Sequence, residues 1–161
     1  DIAASATAIY FQDPVGMAAT GTITVAAAGG VLLGSLGGVF FTDASTSKPT
    51  YANHLDASNT ATDIVGFVSD DPYQRFEVQS DNSGASAQTD IGNVADIVYA
   101  AGSSPDYVSK VELDDSDLAT SDGQLKVIGV SRDPENNELG SANVNFVVTI
   151  NEHFLKQEAG V

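Results

Sequence analysis

The segment 143–151 alternates between apolar and polar side chains, and this alternation limits the fold more than any other feature of the chain. The apolar side chains that share one face are Val144, Phe146, Val148 and Ile150. Polar residues occupy the other face, with Val147 as the single exception. A period of two is typical of a β-strand with one buried face. Such a strand needs partners in a sheet, so the pattern predicts a β-rich fold.

Short runs of β-branched and aromatic residues recur along the whole chain, and polar or glycine-containing turns separate them. The runs lie at 8–12, 21–27, 31–41, 64–69, 74–80, 95–100, 107–113, 124–131 and 143–151. This spacing predicts an all-β fold, a single-domain barrel or sandwich of short, mostly antiparallel strands. Helix is limited to one or two short turns, one capped by Asp90 and one at 152–158. Residues 1–161 form one domain, with extended arms expected at 1–7 and 152–161.

Three local signals refine this picture. In 124–131 the apolar face changes phase around Gly129, which predicts a β-bulge or burial on both faces. The Asp-Pro pairs at 13–14, 71–72 and 133–134 predict turns, because a residue before proline is pushed out of the helical region. The glycine-rich stretch 34–38 lacks a lysine and a following helix, so it predicts close approach of another backbone and not a phosphate loop.

The charge balance excludes several classes of partner. The chain has 22 acidic residues against 6 lysines and arginines, a formal charge of -16. Nucleic acids and anionic membranes are bound by clusters of basic residues, so neither is an expected partner. There is no cysteine, which rules out disulfides and thiolate chemistry.

The residue patterns predict neither an enzyme nor a cofactor or metal site. The carboxylates of "DDSDLATSDG", 114–123, do not have the spacing of a calcium-binding loop and are interpreted as a solvated turn, with calcium binding as the open alternative. Only His54 and His153 could titrate near neutral pH, and neither lies in a nucleophile or metal motif. A hydrolase whose acidic catalytic residues are far apart in the sequence remains an open alternative.

Adjacent aromatic residues point to an interaction protein. The pairs Tyr10-Phe11 and Phe40-Phe41 place one ring on each face of a strand. Either both faces are covered or one ring is offered to a partner.

Four blocks of the chain, in order, resemble the head decoration, or capsid cement, proteins of tailed bacteriophages. They are "GGVFFTDASTSKPTYANH" from 37, "DIVGFVSDDPYQRFEVQSD" from 63, "TDIGNVADIV" from 89 and "LKVIGVSRDPENNELGSANVNFVVTINEH" from 125. The resemblance extends from about Ile9 to His153. The chain departs from the family at "RDPENN", and family members tend to have a longer N-terminal arm than the residues before Ala8.

The resemblance implies a non-enzymatic virion protein that binds the outer surface of an icosahedral head and stabilises contacts between capsid subunits. Its partner is then the major capsid protein, and the chain is expected to form a homo-oligomer, a dimer or a trimer. The residues expected to contact partners are Asp1, Ile2, Tyr10, Tyr51, His54, His153, Phe154 and Leu155. The alternative is a β-rich adhesion or carbohydrate-binding module of a virion or microbial surface.

Overall fold

The computed structural model describes residues 1–4, 6–119 and 121–156. Its strands are β1 Pro14–Met17, β2 Ile23–Val25, β3 Gly34–Thr42, β4 Pro49–Ala52, β5 Val65–Ser69, β6 Arg75–Gln79, β7 Val94–Ala95, β8 Ile97–Val98, β9 Glu112–Leu113, β10 Leu125–Val130 and β11 Asn145–Ile150. The helical parts of the described chain are two 3-10 turns, η1 Gln88–Asp90 and η2 Phe154–Lys156. The predicted all-β class is confirmed.

The strands form three antiparallel sheets. The first has the order β2-β1-β3-β4, with β5 paired to the long strand β3. The second has the order β6-β11-β10-β7, and β8 pairs with β9. Over the described residues the sheets do not close into a barrel, so the barrel alternative is not realised.

Glycines shape the first sheet at the stretch predicted to approach another backbone. The pairing of β3 with β5 shifts register between Leu36 and Gly38. A side chain at Gly34 would collide with the carbonyl of Ser69, so the strands lie too close for any other residue there. Leu36 and Val39 of β3 are fully buried in the core of this sheet. The predicted close approach is confirmed.

The second sheet is built on the alternating segment 143–151. Val144, Phe146, Val148 and Ile150 are all at most 4% exposed and pack in one hydrophobic cluster. The pairing of β10 with β11 shifts register between Val127 and Gly129, which confirms the predicted bulge. The residue left out of the pairing, Ile128, is 38% exposed.

The Asp-Pro pairs all stand at turns, as predicted. Asp71 accepts a 2.9 Å hydrogen bond from the Tyr73 N–H, and Asp133 accepts one of 3.0 Å from Glu135. Asp13 closes a turn that starts at Tyr10, with a 2.8 Å bond from the Tyr10 N–H to its carboxylate. The three aspartates of these pairs therefore stabilise local backbone geometry.

Two strands were missed and one was overestimated. Both missed strands, β1 and β4, begin with proline, at Pro14 and Pro49, where the missing N–H costs little. The predicted strand 8–12 contributes only single bridges, between Ile9 and Leu55 and between Phe11 and Val108. The helical turn expected to start at Asp90 instead ends there, as η1.

Parts of both expected arms contact the domain where the structure describes them. Ile2 is 3% exposed and donates its N–H to the Ile64 carbonyl at 2.9 Å. At the other end, Leu32 bonds the backbone of both Glu152 and Phe154, and His153 is fully buried. Apolar burial is the physical reason that both ends lie on the domain. Ser5 and 157–161 lie outside the described residues.

Candidate interaction surface

One side of the first sheet exposes an unusual concentration of apolar side chains. Its members are Phe40, 41% exposed, Tyr51, 62%, Val65, 41%, and Phe67, 50%. We call these four residues the aromatic face. In a soluble monomer large apolar side chains are mostly buried, and a contiguous exposed group of them marks a contact surface.

Strand register brings the aromatic face together. Phe40 lies at the centre of the group, directly opposite Tyr51 on β4 and Val65 on β5. The rings of Tyr51 and Phe67 are 6.0 Å apart between centroids and tilted by 46°. Cross-strand neighbours of this kind support one another, so the surface is preformed.

The local sequence explains why the rings point outward. Because side chains alternate along β3, Phe41 is 9% exposed and belongs to the core, while its neighbour Phe40 faces solvent. This confirms the prediction of one ring on each face for Phe40-Phe41, whereas Tyr10-Phe11 lies outside the strands. Tyr51 lies against Gly38, where a side chain would collide with its ring, and donates a 3.2 Å hydrogen bond to the Gly37 carbonyl.

Two ionised aspartates lie at one end of the aromatic face. Asp43 follows β3 directly, and hydrogen bonds, first from the Ser45 hydroxyl and then from Thr46, lower its pKa to about 2. Asp63 accepts a 3.0 Å bond from the N–H of Thr42, and its bonds from Thr42 lower its pKa as well. Both carboxylates are therefore charged at neutral pH, and a partner surface with basic residues would complement them.

Three rings form a second aromatic cluster, and its His54 follows Tyr51 of the aromatic face by three residues. His54 stacks on Tyr107 at 3.9 Å and 6°, and Tyr10 lies 6.4 Å from His54. His54 also contacts Asn53 at 2.8 Å and Asp56 at 3.5 Å. The cluster joins three loops. Tyr107 was not among the predicted contact residues. Its positive φ of 53° is not indicated by any local sequence motif.

Burial raises the pKa of two ionisable groups near this cluster, Asp13 and Tyr99. Asp13 is fully buried and burial raises its pKa, while its Oδ1 has no hydrogen-bond partner among the described residues. Burial, together with the nearby Asp13 and Tyr10, raises the pKa of Tyr99 to about 12.

The acidic turn is occupied by its own hydrogen bonds. Asp114 accepts bonds from the N–H and hydroxyl of Ser116 at 3.0 and 2.7 Å, and Asp115 accepts from Ser83 and from the N–H of Gly84. Within the described ranges, no group of three potential ligands has metal-binding geometry. A pocket of about 270 Å³ adjoins this turn and is lined by four carboxylates, Asp117 and Asp122 of the turn together with Asp96 and Glu152. Burial and the neighbouring Asp122 and Asp96 raise the pKa of Glu152.

The predicted contact residues fall into different environments. Tyr51 lies on the aromatic face, and Tyr10 and His54 lie in the second cluster. Leu155, 58% exposed, belongs to neither group, and Asp1 is exposed. The side chains of Ile2 and His153 are buried, so these two offer no surface to a partner. Phe154 packs against the core of the first sheet but stays partly exposed.

Comparisons with known proteins add no identification. Nothing among protein-family models, curated proteins or solved structures matches this chain. The described helical segments include none that is long and apolar enough to span a membrane. The class that the fold and surface define is an acidic all-β protein with an exposed aromatic face.

Proposed function

We propose that this chain is a structural protein of a phage virion, bound to the outer surface of the icosahedral head, where it stabilises contacts between major capsid subunits. The observation that carries the proposal is the aromatic face, because it is preformed and apolar on a chain whose charge otherwise keeps copies apart. The sequence blocks that resemble head decoration proteins supply the identity of the partner.

The electrostatics specify what the capsid surface should offer. Asp43 and Asp63 stay charged beside the aromatic face, and the whole chain has a charge of -16. A matching surface has an apolar centre with lysines or arginines at its rim. A capsid repeats that surface many times, so a small oligomer bound at several sites gains from effective concentration.

The exposed area of Phe67 sets the size of its contribution to the binding free energy. A phenylalanine side chain buries about 200 Å² when fully covered, so the 50% exposed ring of Phe67 offers about 100 Å². At ~25 cal/mol per Å² this is worth about 2.5 kcal/mol, or roughly 60-fold in Kd. The other half of the ring is buried, so Phe67→Ser should also lower the free energy of unfolding by about 2.5 kcal/mol, and binding is measured on protein that circular dichroism shows to be folded.

The test is rebinding to expanded heads that have been stripped of their decoration protein. Wild-type chain should bind in a fixed ratio to capsid subunits and raise the temperature at which heads disrupt. The variant Phe67→Ser should bind about 60-fold more weakly. The matched control is Ile128→Ser, which removes an apolar side chain of 38% exposure from the outer side of the second sheet. If stripped heads take up no protein, or if both variants bind equally poorly, the proposal fails.

The same exposed rings favour a second candidate, an adhesion module that binds glycans. Such a module would retain glycans in a solid-phase assay and occur in few copies per particle. Binding to glycans by wild type but not by Phe67→Ser, without uptake by heads, would select this alternative.

A further inference from the structure

A short segment beyond β11, residues 153–156, is attached to the domain by few contacts, and we call it the latch segment. The two residues before it are fixed, because both donate their N–H groups to the Gln124 carbonyl. Within the described chain, the one main-chain bond from the latch segment to another segment runs from the Phe154 N–H to the Leu32 carbonyl, at 2.7 Å. The Phe154 side chain packs against the core of the first sheet. A segment with so few attachments can open while the sheets stay folded.

The buried ring of His153 is central to this attachment. It is fully buried, and its Nδ1 accepts a 3.1 Å hydrogen bond from the Leu155 N–H. A ring nitrogen that accepts carries no proton, so the neutral ring has its proton on Nε2. Nε2 is buried as well and has no hydrogen-bond partner among the described residues. The site therefore fits the neutral form of the ring.

Protonation of His153 removes the bond that holds Leu155. The added proton goes to Nδ1, which then meets the Leu155 N–H as a second donor. The imidazolium also places a full charge in a buried site where Nε2 lacks an acceptor. Both effects favour a state in which the ring reaches water.

The charged groups that face the ring come from two elements. Burial, followed by the charge of Lys156 in η2, lowers the pKa of His153, against smaller opposing effects of Asp70 in the turn after β5 and of nearby main-chain groups. The adjoining segment 31–33 has no ionisable side chain. The neighbouring Glu152 lines the acidic pocket, and its raised pKa means that acid favours its folded position. Glu152 therefore opposes opening in acid, and His153 alone drives it.

We propose that the latch segment is a pH-sensitive device: when His153 takes up a proton, residues 153–156 leave the domain and expose Phe154 and the apolar surface that it covers, while both sheets stay folded. In the open state the ring has the ordinary histidine pKa of about 6.5. The ratio of open to closed molecules should then rise by up to about tenfold for each pH unit below this value, until the pH reaches the lower pKa of the closed state. Above about pH 7 the segment stays closed.

The test is amide hydrogen exchange, followed by NMR on the whole chain from about pH 7.5 to about pH 5 and corrected for the intrinsic rate at each pH. The Phe154 N–H should have a lower protection factor than the N–H of Val148 in β11, because it exchanges through local opening. Its protection should fall by up to about tenfold per pH unit below about pH 6.5. In His153→Gln, whose side-chain oxygen can still accept from Leu155, this pH dependence should disappear. His54→Gln removes the other histidine of the chain and, as the control, should keep it.

Two results would overturn the proposal. Equal protection of Phe154 and Val148 at every pH would mean that the segment opens only with the whole domain. A pH dependence that survives in His153→Gln would mean that another group drives the opening.

A second variant covers the case in which His153→Gln does not fold. Lys156 is exposed and its charge lowers the His153 pKa, so Lys156→Gln should make the loss of Phe154 protection level off at a higher pH. An unchanged curve would contradict the proposal. These measurements use the free chain without heads, so their outcome is independent of the proposed capsid function.

Discussion

Replacement of Gln124 by leucine should strongly destabilise the protein. The side chain is fully buried, and its amide makes three hydrogen bonds to main-chain groups. Its oxygen accepts from the Ile97 N–H at 3.1 Å, and its nitrogen donates to the carbonyls of Ala27, at 2.9 Å, and Gly30. Gln124 therefore joins a loop of the first half of the chain to the second sheet.

The expected loss follows from the groups left without partners. Leucine at position 124 leaves the buried Ile97 N–H unsatisfied, at a cost of about 1–3 kcal/mol. It also removes the bonds to the carbonyls of Ala27, which still accepts from the Gly30 N–H, and of Gly30, each worth about 0.5–1.5 kcal/mol. Leucine regains about 1 kcal/mol of apolar burial, which leaves a net loss of about 3 kcal/mol. Single domains have free energies of unfolding of about 5–15 kcal/mol, so this is a large fraction of the total.

Urea unfolding followed by circular dichroism measures this loss. With an m-value of about 2 kcal/mol/M, the midpoint should fall by about 1.5 M. Gln88→Leu, the same change at an exposed position in η1, should shift it very little. A midpoint that falls by less than about 0.5 M for Gln124→Leu would refute the reasoning, since it would mean that water or relaxation satisfies the orphaned groups.

Three further predictions concern other buried positions. Asp13→Asn should raise the free energy of unfolding at pH 7 and have little effect below about pH 4, because burial raises the Asp13 pKa and its stabilising contribution is lost as pH rises through that value. His153→Gln should flatten the decline of stability as the pH drops below about 6.5, because burial lowers the His153 pKa and the unfolded chain takes up the proton first. Urea titrations at several pH values measure the effects of Asp13→Asn and of His153→Gln. Gly38→Ala should lower the melting temperature because the added methyl collides with Tyr51, whereas Gly129→Ala, with nothing within 4 Å, should be nearly neutral by calorimetry.

The fold class was predictable because strong local patterns agree with the final structure. The alternation ending at Ile150 and the phase change around Gly129 both report directly which face is buried. Strand β1 was not predictable in the same way, since Pro14 marks a turn by local rules and a strand start only in its tertiary setting.

The aromatic face was predictable only in part. The Phe40-Phe41 pair shows that one ring must turn away from the core, and burial of Phe41 settles which one. That Tyr51 and Phe67 join Phe40 depends on the register of three strands, which a single sequence does not specify. The burial of Ile2 is a similar case, because a short apolar terminus looks like an arm until the core that receives it is known.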